Sequence, residues 1–166
     1  LIITSAFIFL FILIYRNVSR CSIQKHLSEK VDDSSTTHDT LTSLPNKVYM
    51  QDALEHAYAL SNRSNELVGF MMIGLTGFEE VNGAIGQRAG DSVLIEASER
   101  LKQATRSSDI VSKMDNDKFT IMFNNINDDS QLEHVAKRII SFFNTPFIFN
   151  DQRFGVGVNI GIVLYP

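Results

Sequence analysis

The residues after Thr40 alternate between helical and strand spacing of apolar side chains, and this order restricts the fold more than any other feature. The spacing predicts a helix over 47–62, a buried strand over 66–75, two further helices, a hairpin and then an amphipathic helix. Two more strands, "PFIF" and "FGVGVNIGIVLYP", follow and are joined by the turn "NDQ". This order predicts an α+β domain in which helices cover one central sheet.

The composition describes a globular chain without a nucleic-acid signature. Of its 166 residues, 44% are hydrophobic and 20% are charged, and the formal net charge is -4. This balance gives no basic face, so we expect no DNA or RNA polymer as a partner. The single cysteine, Cys21, excludes an internal disulfide and any site built from several cysteines.

The first fifteen residues, "LIITSAFIFLFILIY", carry no charge. A helix needs about 20 apolar residues to span a bilayer, so this run predicts the end of a transmembrane helix. Arg16, Arg20 and Lys25 follow it, and this positive bias places the later residues in the cytoplasm. A buried core helix is the alternative. We expect a juxtamembrane helix and linker over 16–37 and a globular domain over 38–166.

The predicted hairpin, with strands at 109–114 and 118–124, concentrates polar residues in its turn, "DNDK". Asp and Asn are the residues other than glycine that best tolerate the left-handed backbone of tight hairpins. The turn is therefore compatible with ordinary turn chemistry. It is equally compatible with the remains of a binding site, and the local residues leave both interpretations open.

Five motifs, in this order, resemble the GGDEF family, the diguanylate cyclase domains. "HDTLTSLPNK" is similar to the family's D-x-L-T-G-L-P-N-R, and "IGLTGFEEVN" is similar to D-x-D-x-F-K-x-x-N. "GQRAGDSVL" is similar to G-H-x-x-G-D-x-L-L, "DNDKF" stands at the GGDEF signature, and "GIVLYP" matches the closing strand. Each motif is short, but the five in the right order are specific.

The resemblance implies a ferredoxin-like nucleotidyl-cyclase fold, a mixed central sheet covered by helices, truncated before the last helix and strand of the family domain. The family joins two GTP molecules into cyclic di-GMP, and two domains pair face to face, each holding one GTP and two Mg²⁺. It also implies a bacterial protein of the inner membrane with this domain in the cytoplasm. "LTSLPN" and "LYP" resemble the forms of these motifs in GGDEF domains that precede an EAL phosphodiesterase domain. Such a domain would lie beyond Pro166.

Several positions that carry the family's chemistry are changed. The resemblance assigns the two metal carboxylates to Gly74, which has no side chain, and to Asp117, which keeps its acid. The carbonyl of Leu75 would remain as a weak ligand, the second acid of that motif is Thr76, and the phosphate-binding lysine is Glu79. Mg²⁺ needs hard oxygen ligands, usually carboxylates. We therefore expect no cofactor, with Mg²⁺ and GTP bound only if the site functions.

The signature reads Asp115, Asn116, Asp117, Lys118 and Phe119. Its two glycines, which let the backbone approach the nucleotide, are replaced by residues with a Cβ, and its fourth-position acid is a lysine. We therefore expect no intact catalytic residue and a regulatory or dimerisation role. Two alternatives stay open: an active cyclase with altered metal ligation, and a sensor that binds GTP or cyclic di-GMP.

Two pairs of residues could still bind a nucleotide. Asn82 and Asp91 stand where the family contacts the guanine edge; the structural alternative makes Asn82 a helix-end residue and Asp91 an N-cap. Arg106 and Asp109, in "RSSD", match the family's inhibitory product site R-x-x-D, because arginine can form paired bonds to guanine or phosphate. The alternative there is a contact of Arg106 with its own helix end and a turn cap at Asp109.

Overall fold

The computed structural model describes residues 37–64, 67–126 and 128–165. The predicted transmembrane segment, 1–15, and the juxtamembrane segment up to residue 36 lie outside these ranges. Among the helices within the described ranges, none has both the length and the apolar character needed to cross a membrane.

The described residues form four helices and six strands, which confirms the α+β class. Helix, strand, two helices, hairpin and helix follow one another as the spacing predicted. In chain order they are α1 Lys47–Ser64, β1 Leu67–Thr76, α2 Phe78–Ile85, α3 Gln87–Gln103, β2 Ile110–Asp115, β3 Lys118–Ile126, α4 Asp129–Phe143, β4 Phe147–Phe149, β5 Gln152–Phe154 and β6 Gly157–Tyr165.

Side-chain caps start two of the helices. The Oδ1 atom of Asn46 accepts from the backbone N–H groups of Val48 and Tyr49 at 2.9 and 3.2 Å, so α1 begins directly after "PN". Asp128 accepts from the backbone N–H of Ser130 at 2.8 Å at the start of α4. These bonds satisfy N–H groups that have no partner within a helix, which is why short polar residues stand at both starts.

Four strands form the main sheet in the order β2-β3-β1-β6, and every neighbouring pair is antiparallel. The expectation of a mixed sheet is therefore wrong for the described strands. β1 and β2 are joined through helices and are not neighbours in the sheet, because β3 lies between them. In the same way, β1 lies between β3 and β6. Parallel strands thus never become neighbours, as is typical of the ferredoxin-like β-α-β-β-α-β arrangement.

The segments "PFIF" and "FGVGVNIGIVLYP", predicted as strands joined by one turn, form a short hairpin, β4–β5, and a separate strand, β6. β4 and β5 pair only with each other among the described strands, and Asn150 and Asp151 join them with φ angles of 50° and 63°. Such a turn matches the right-handed twist of a hairpin. Gly155 and Val156 separate β5 from β6, and Val156 is buried in the core. β6 pairs with β1 from Val68 to Thr76.

The two faces of the main sheet bury different cores, because successive strand residues point to opposite sides. Met71, Ile73 and Leu75 of β1 join the larger core, with α3 and α4. The opposite face packs against α1 through a smaller cluster around Met50 and Met122. The larger core therefore holds the domain together, whereas α1 rests on a thinner contact.

Two arginines connect the ends of α3 and α4. The Nη1 atom of Arg100 donates to the carbonyl oxygens of Phe142, in the last turn of α4, and of Thr145, just beyond it, at 2.9 and 2.6 Å. In return, Arg138 of α4 donates through Nε to the carbonyl oxygen of Ala104 at 3.0 Å, at the end of α3. Each helix thus supplies side-chain donors to carbonyl groups at the C-terminal end of the other.

Candidate functional site

Residues from all four strands form one row across an end of the main sheet. Asp115 of β2 pairs with Lys118 of β3, Lys118 pairs with Gly74 of β1, and Gly74 pairs with Asn159 of β6. We call these four residues the end row. It brings the metal position and the signature hairpin side by side, as the resemblance implied. Sequence reasoning missed Asn159, because only the pairing of β6 with β1 places it there.

The backbone at Gly74 keeps room for a side chain. A Cβ built on Gly74 would meet no atom within 4 Å, so the missing carboxylate is not a steric requirement of the fold. The backbone N–H of the next residue, Leu75, donates to the carbonyl oxygen of Asp117 at 3.1 Å. This bond holds Asp117 against the end of β1. The end of β1 therefore has room for a side chain at Gly74, and the acidic residue Asp117 is bonded beside it.

The tip of the signature hairpin does not use the left-handed conformation that we expected of its Asp and Asn. Among the described residues other than glycine, only Ser43, Asn150 and Asp151 have positive φ angles. Asn116 instead donates its backbone N–H to the Oδ1 atom of Asp115 at 2.9 Å. The tip is shaped by side-chain contacts to its backbone rather than by an unusual φ angle.

Lys113, a residue that sequence reasoning treated as part of a strand, supplies another of these contacts. Its side chain is only 7% exposed, and its Nζ donates to the carbonyl oxygens of Asp115, at 2.9 Å, and of Asn116. Burial lowers the pKa of Lys113, whereas the carboxylates of Asp39, Asp115 and Asp117 act in the opposite direction. A buried ammonium therefore fixes the hairpin tip from beneath.

The "DTLTSLPN" motif forms the loop that precedes α1. The Oδ1 atom of Asp39 accepts from the backbone N–H and the hydroxyl of Thr42, at 2.8 and 2.6 Å. Ser43 stands at φ 56°, where the family motif has glycine. The carbonyl oxygen of Pro45 accepts from the backbone N–H of Lys113 at 2.8 Å, so this loop is bonded to β2 beside the hairpin.

Asn82 and Asp91 lie on α2 and α3. Asn82 lies in the last turn of α2, and its backbone carbonyl accepts from the N–H of Gly86 at 3.0 Å, which agrees with a position near a helix end. Its Oδ1 atom is buried and has no hydrogen-bond partner among the described residues. Asp91 is not an N-cap, because α3 starts at Gln87 with Gly86 as its N-cap. That structural alternative is therefore wrong, and the nucleotide role of both residues stays a prediction.

The "RSSD" segment forms a closed turn. Arg106 donates its backbone N–H to the Oδ2 atom of Asp109 at 2.8 Å, and Asp109 donates its backbone N–H to the carbonyl oxygen of Arg106 at 3.0 Å. The turn cap proposed for Asp109 is thus present. An open groove of about 450 Å³ lies beside the turn, and its lining includes Arg106, Asp109, Tyr49, Pro45 and Lys102.

The side chains of the end row do not fit a pair of Mg²⁺ ions. Within the described part of the chain, no group of three or more His, Cys, Asp or Glu side chains could hold a metal ion. The row has Gly74 in place of one carboxylate and the cationic Lys118 in place of another acid. Glu79 and Glu80 occupy the first turn of α2, where helix N–H groups would otherwise favour a phosphate.

The fold and the order of these motifs define the class of the protein. The chain matches the family model described as diguanylate cyclase, GGDEF domain, over residues 36–166, and it belongs to that family. It is 30% identical over 129 residues to the bifunctional diguanylate cyclase/cyclic di-GMP phosphodiesterase MucR of Pseudomonas aeruginosa, covering 78% of this chain. It is 31% identical over 130 residues to the diguanylate cyclase TpbB of the same organism, again covering 78%.

The solved structures agree with this assignment. The GGDEF domain of TpbB from Pseudomonas aeruginosa superposes with a TM-score of 0.75 at 31% identity, over 78% of this chain and 76% of that one. The chain spans only 19% of the length of MucR and 30% of the length of TpbB. The likeness therefore concerns one domain.

Proposed function

We propose that this GGDEF domain does not condense GTP and acts as a regulatory or dimerisation module. It would serve a cyclic di-GMP signalling protein in the bacterial inner membrane. The observation that carries this proposal is the pairing of Gly74 with Lys118 in the end row. Gly74 leaves one of the two assigned metal-carboxylate positions without a side chain, and Lys118 puts a positive charge at the signature position where the family has an acid.

Metal charge is the main requirement of phosphoryl transfer. The ions bridge the phosphates and neutralise the charge that develops in the transition state. Losing one preorganised charged group at such a site typically costs about 3 to 5 kcal/mol, or roughly two to four decades in rate. Two changed carboxylate positions, together with Glu79 at the start of α2, leave too little stabilisation for measurable turnover.

The test incubates the full chain with GTP and Mg²⁺ and measures cyclic di-GMP by chromatography. TpbB, assayed in parallel, gives the positive control. We expect no product above a blank that lacks protein. Product formed at a rate within tenfold of TpbB would contradict the proposal and favour the active cyclase with altered metal ligation.

A partner EAL domain and a homodimer are further parts of this proposal. The relative MucR is described as both a diguanylate cyclase and a cyclic di-GMP phosphodiesterase, which supports a phosphodiesterase domain in the same protein. Sequencing the gene beyond the codon for Pro166 tests for the EAL domain, and light scattering of the purified chain tests for the dimer. A monomer at all accessible concentrations would contradict the dimerisation role.

A second candidate function is a sensor of cyclic di-GMP, favoured by the groove beside Arg106 and Asp109. The carboxylate of Asp109 is held against the backbone N–H of Arg106, and both residues of the R-x-x-D motif line the groove. Calorimetry with cyclic di-GMP and with GTP distinguishes this function from a purely structural one. Heat that saturates with cyclic di-GMP in the wild type and disappears in Arg106→Ala would support the sensor.

A further inference from the structure

The end row holds an open position beside a cation. A Cβ built on Gly74 would meet no atom within 4 Å. Its antiparallel partner, Lys118, is exposed and carries its charge on a long flexible stem. Directly opposed residues of an antiparallel pair project from the same face as near neighbours. The ammonium of Lys118 can therefore reach the space above Gly74.

Two carboxylates lie next to this lysine. Asp115 is its partner in β2, on the side away from Gly74. Asp117 precedes it in the chain and is bonded through its carbonyl oxygen to Leu75 at the end of β1. The carboxylates of Asp115 and Asp117 already act on another cation, the ammonium of Lys113 at the hairpin tip. Lys118 adds a second positive charge in the end row, at the residue that pairs with the assigned metal position Gly74.

We propose that Lys118 takes the place of a divalent cation in the end row, so that this site binds neither Mg²⁺ nor Mn²⁺. The inference rests on the proposed absence of turnover and names the residue that excludes the metal. An ammonium repels a divalent ion, and the flexible side chain of Lys118 can enter the open space at Gly74. The loss of a carboxylate at Gly74 is the smaller obstacle, because Asp117 and backbone oxygens could still bind a hard cation weakly.

The experiment measures Mn²⁺ binding to the full chain through the paramagnetic resonance signal of the unbound ion. It compares the wild type, Gly74→Asp, Lys118→Glu and the double variant Gly74→Asp/Lys118→Glu. We expect no measurable binding by the wild type or by Gly74→Asp, and weak binding by Lys118→Glu. The double variant should bind at least tenfold more tightly than either single variant, because it regains a carboxylate and loses the competing ammonium.

The matched control combines Lys118→Glu with Gly161→Asp. Gly161 pairs with Met72 of β1, two residues before Gly74, and a Cβ built there also meets no atom within 4 Å. This control has the same net charge as the first double variant, but its new carboxylate lies outside the end row. We expect its Mn²⁺ binding to stay as weak as that of Lys118→Glu alone.

Three results would overturn the proposal. They are tight Mn²⁺ binding by the wild type, binding by Gly74→Asp as tight as that of the double variant, and equal binding by the two double variants. The wild-type titration needs no variant, so a misfolded variant would not protect the proposal from failure. The GTP assay is independent: product from the wild type would contradict the proposed function, whatever the Mn²⁺ titrations show.

Discussion

The ends of α3 and α4 differ from the end row in how completely their polar groups are satisfied. At the helix ends, Arg100 and Arg138 bond the carbonyl groups left by the facing helix. In the end row, Gly74 leaves an open space and Lys118 replaces an acid. The polar contacts that hold the fold are therefore separate from those of the site, so the site can lose its chemistry while the domain keeps its structure.

The buried polar atoms that lack a hydrogen-bond partner also lie near the site and not at the helix ends. Among the described side chains these atoms are Asn82 Oδ1, Ser112 Oγ and Thr120 Oγ1. Ser112 and Thr120 face each other across β2 and β3, in the hairpin that carries the signature, and Asn82 stands where the family contacts guanine. A buried polar atom without a partner costs about 1–3 kcal/mol, so these three atoms lower the stability near the site.

Replacing Arg100 with alanine gives the largest effect that the comparison predicts. The guanidinium is buried, donates to three carbonyl oxygens through its two Nη atoms and lies 3.8 Å from the centroid of the Phe147 ring. We expect Arg100→Ala to lower the free energy of unfolding by about 3 kcal/mol or more, because several buried acceptors lose their donor. Urea denaturation measures this change.

Lys102→Ala is the matched control for Arg100→Ala. Lys102 lies on the same helix and pairs with Glu99 at 2.9 Å, but both side chains are exposed. An exposed pair of this kind contributes well under 1 kcal/mol, so we expect almost no change. Equal losses from the two substitutions would show that the arginine contacts do not hold the fold, and the comparison would fail.

A substitution at Gly90 tests the packing of α3 against the side chain of Asn82 in α2. A Cβ built on Gly90 would lie 1.9 Å from the Oδ1 atom of Asn82, so the glycine makes room for that side chain. We expect Gly90→Ala to destabilise the domain by about 1–3 kcal/mol through overpacking. The control, Gly83→Ala in α2, meets no atom within 4 Å and should stabilise by up to about 1 kcal/mol. Thermal denaturation that ranks the two variants in the opposite order would contradict this account.

Ser43 is a position where the chain departs from its family motif at a measurable cost. Its φ angle of 56° is left-handed, which disfavours residues with a Cβ by about 1–2 kcal/mol. We expect Ser43→Gly to raise the free energy of unfolding by about 1 kcal/mol, after the greater entropy of glycine in the unfolded chain is subtracted. Ser107→Gly, where φ is not positive, should lower it slightly. Calorimetric melting of both variants checks the signs.

Local sequence patterns predicted the helices and strands but not every pairing between strands. The spacing of apolar residues located α1, β1 and the hairpin to within a few residues, and "NDQ" marked the β4–β5 turn. The pairing of β6 with β1 was not predictable, because strand pairing depends on residues far apart in the chain. Asn159 could therefore not be placed in the site. Lys113 gave no signal either, because its partners are backbone carbonyl groups rather than side chains with a pattern.

The smallest predicted effect is on the pH dependence of the free energy of unfolding, and it reports on Lys113 beneath the hairpin tip. Burial lowers the pKa of Lys113 below its ordinary value of 10.5. Between the folded-state pKa and 10.5 the unfolded chain binds more protons at this residue, so the free energy of unfolding should rise as the pH increases through that window. Lys113→Met should lack this contribution, and its overall stability should fall because the carbonyl groups of Asp115 and Asn116 lose a donor.

Urea denaturation of the wild type and of Lys113→Met at several alkaline pH values measures the difference between their free energies of unfolding. The titration of the other lysines contributes equally to both proteins and cancels in this difference. A difference that shrinks with rising pH, rather than growing, would show that the charged form is the better stabilised one and that burial does not dominate at the hairpin.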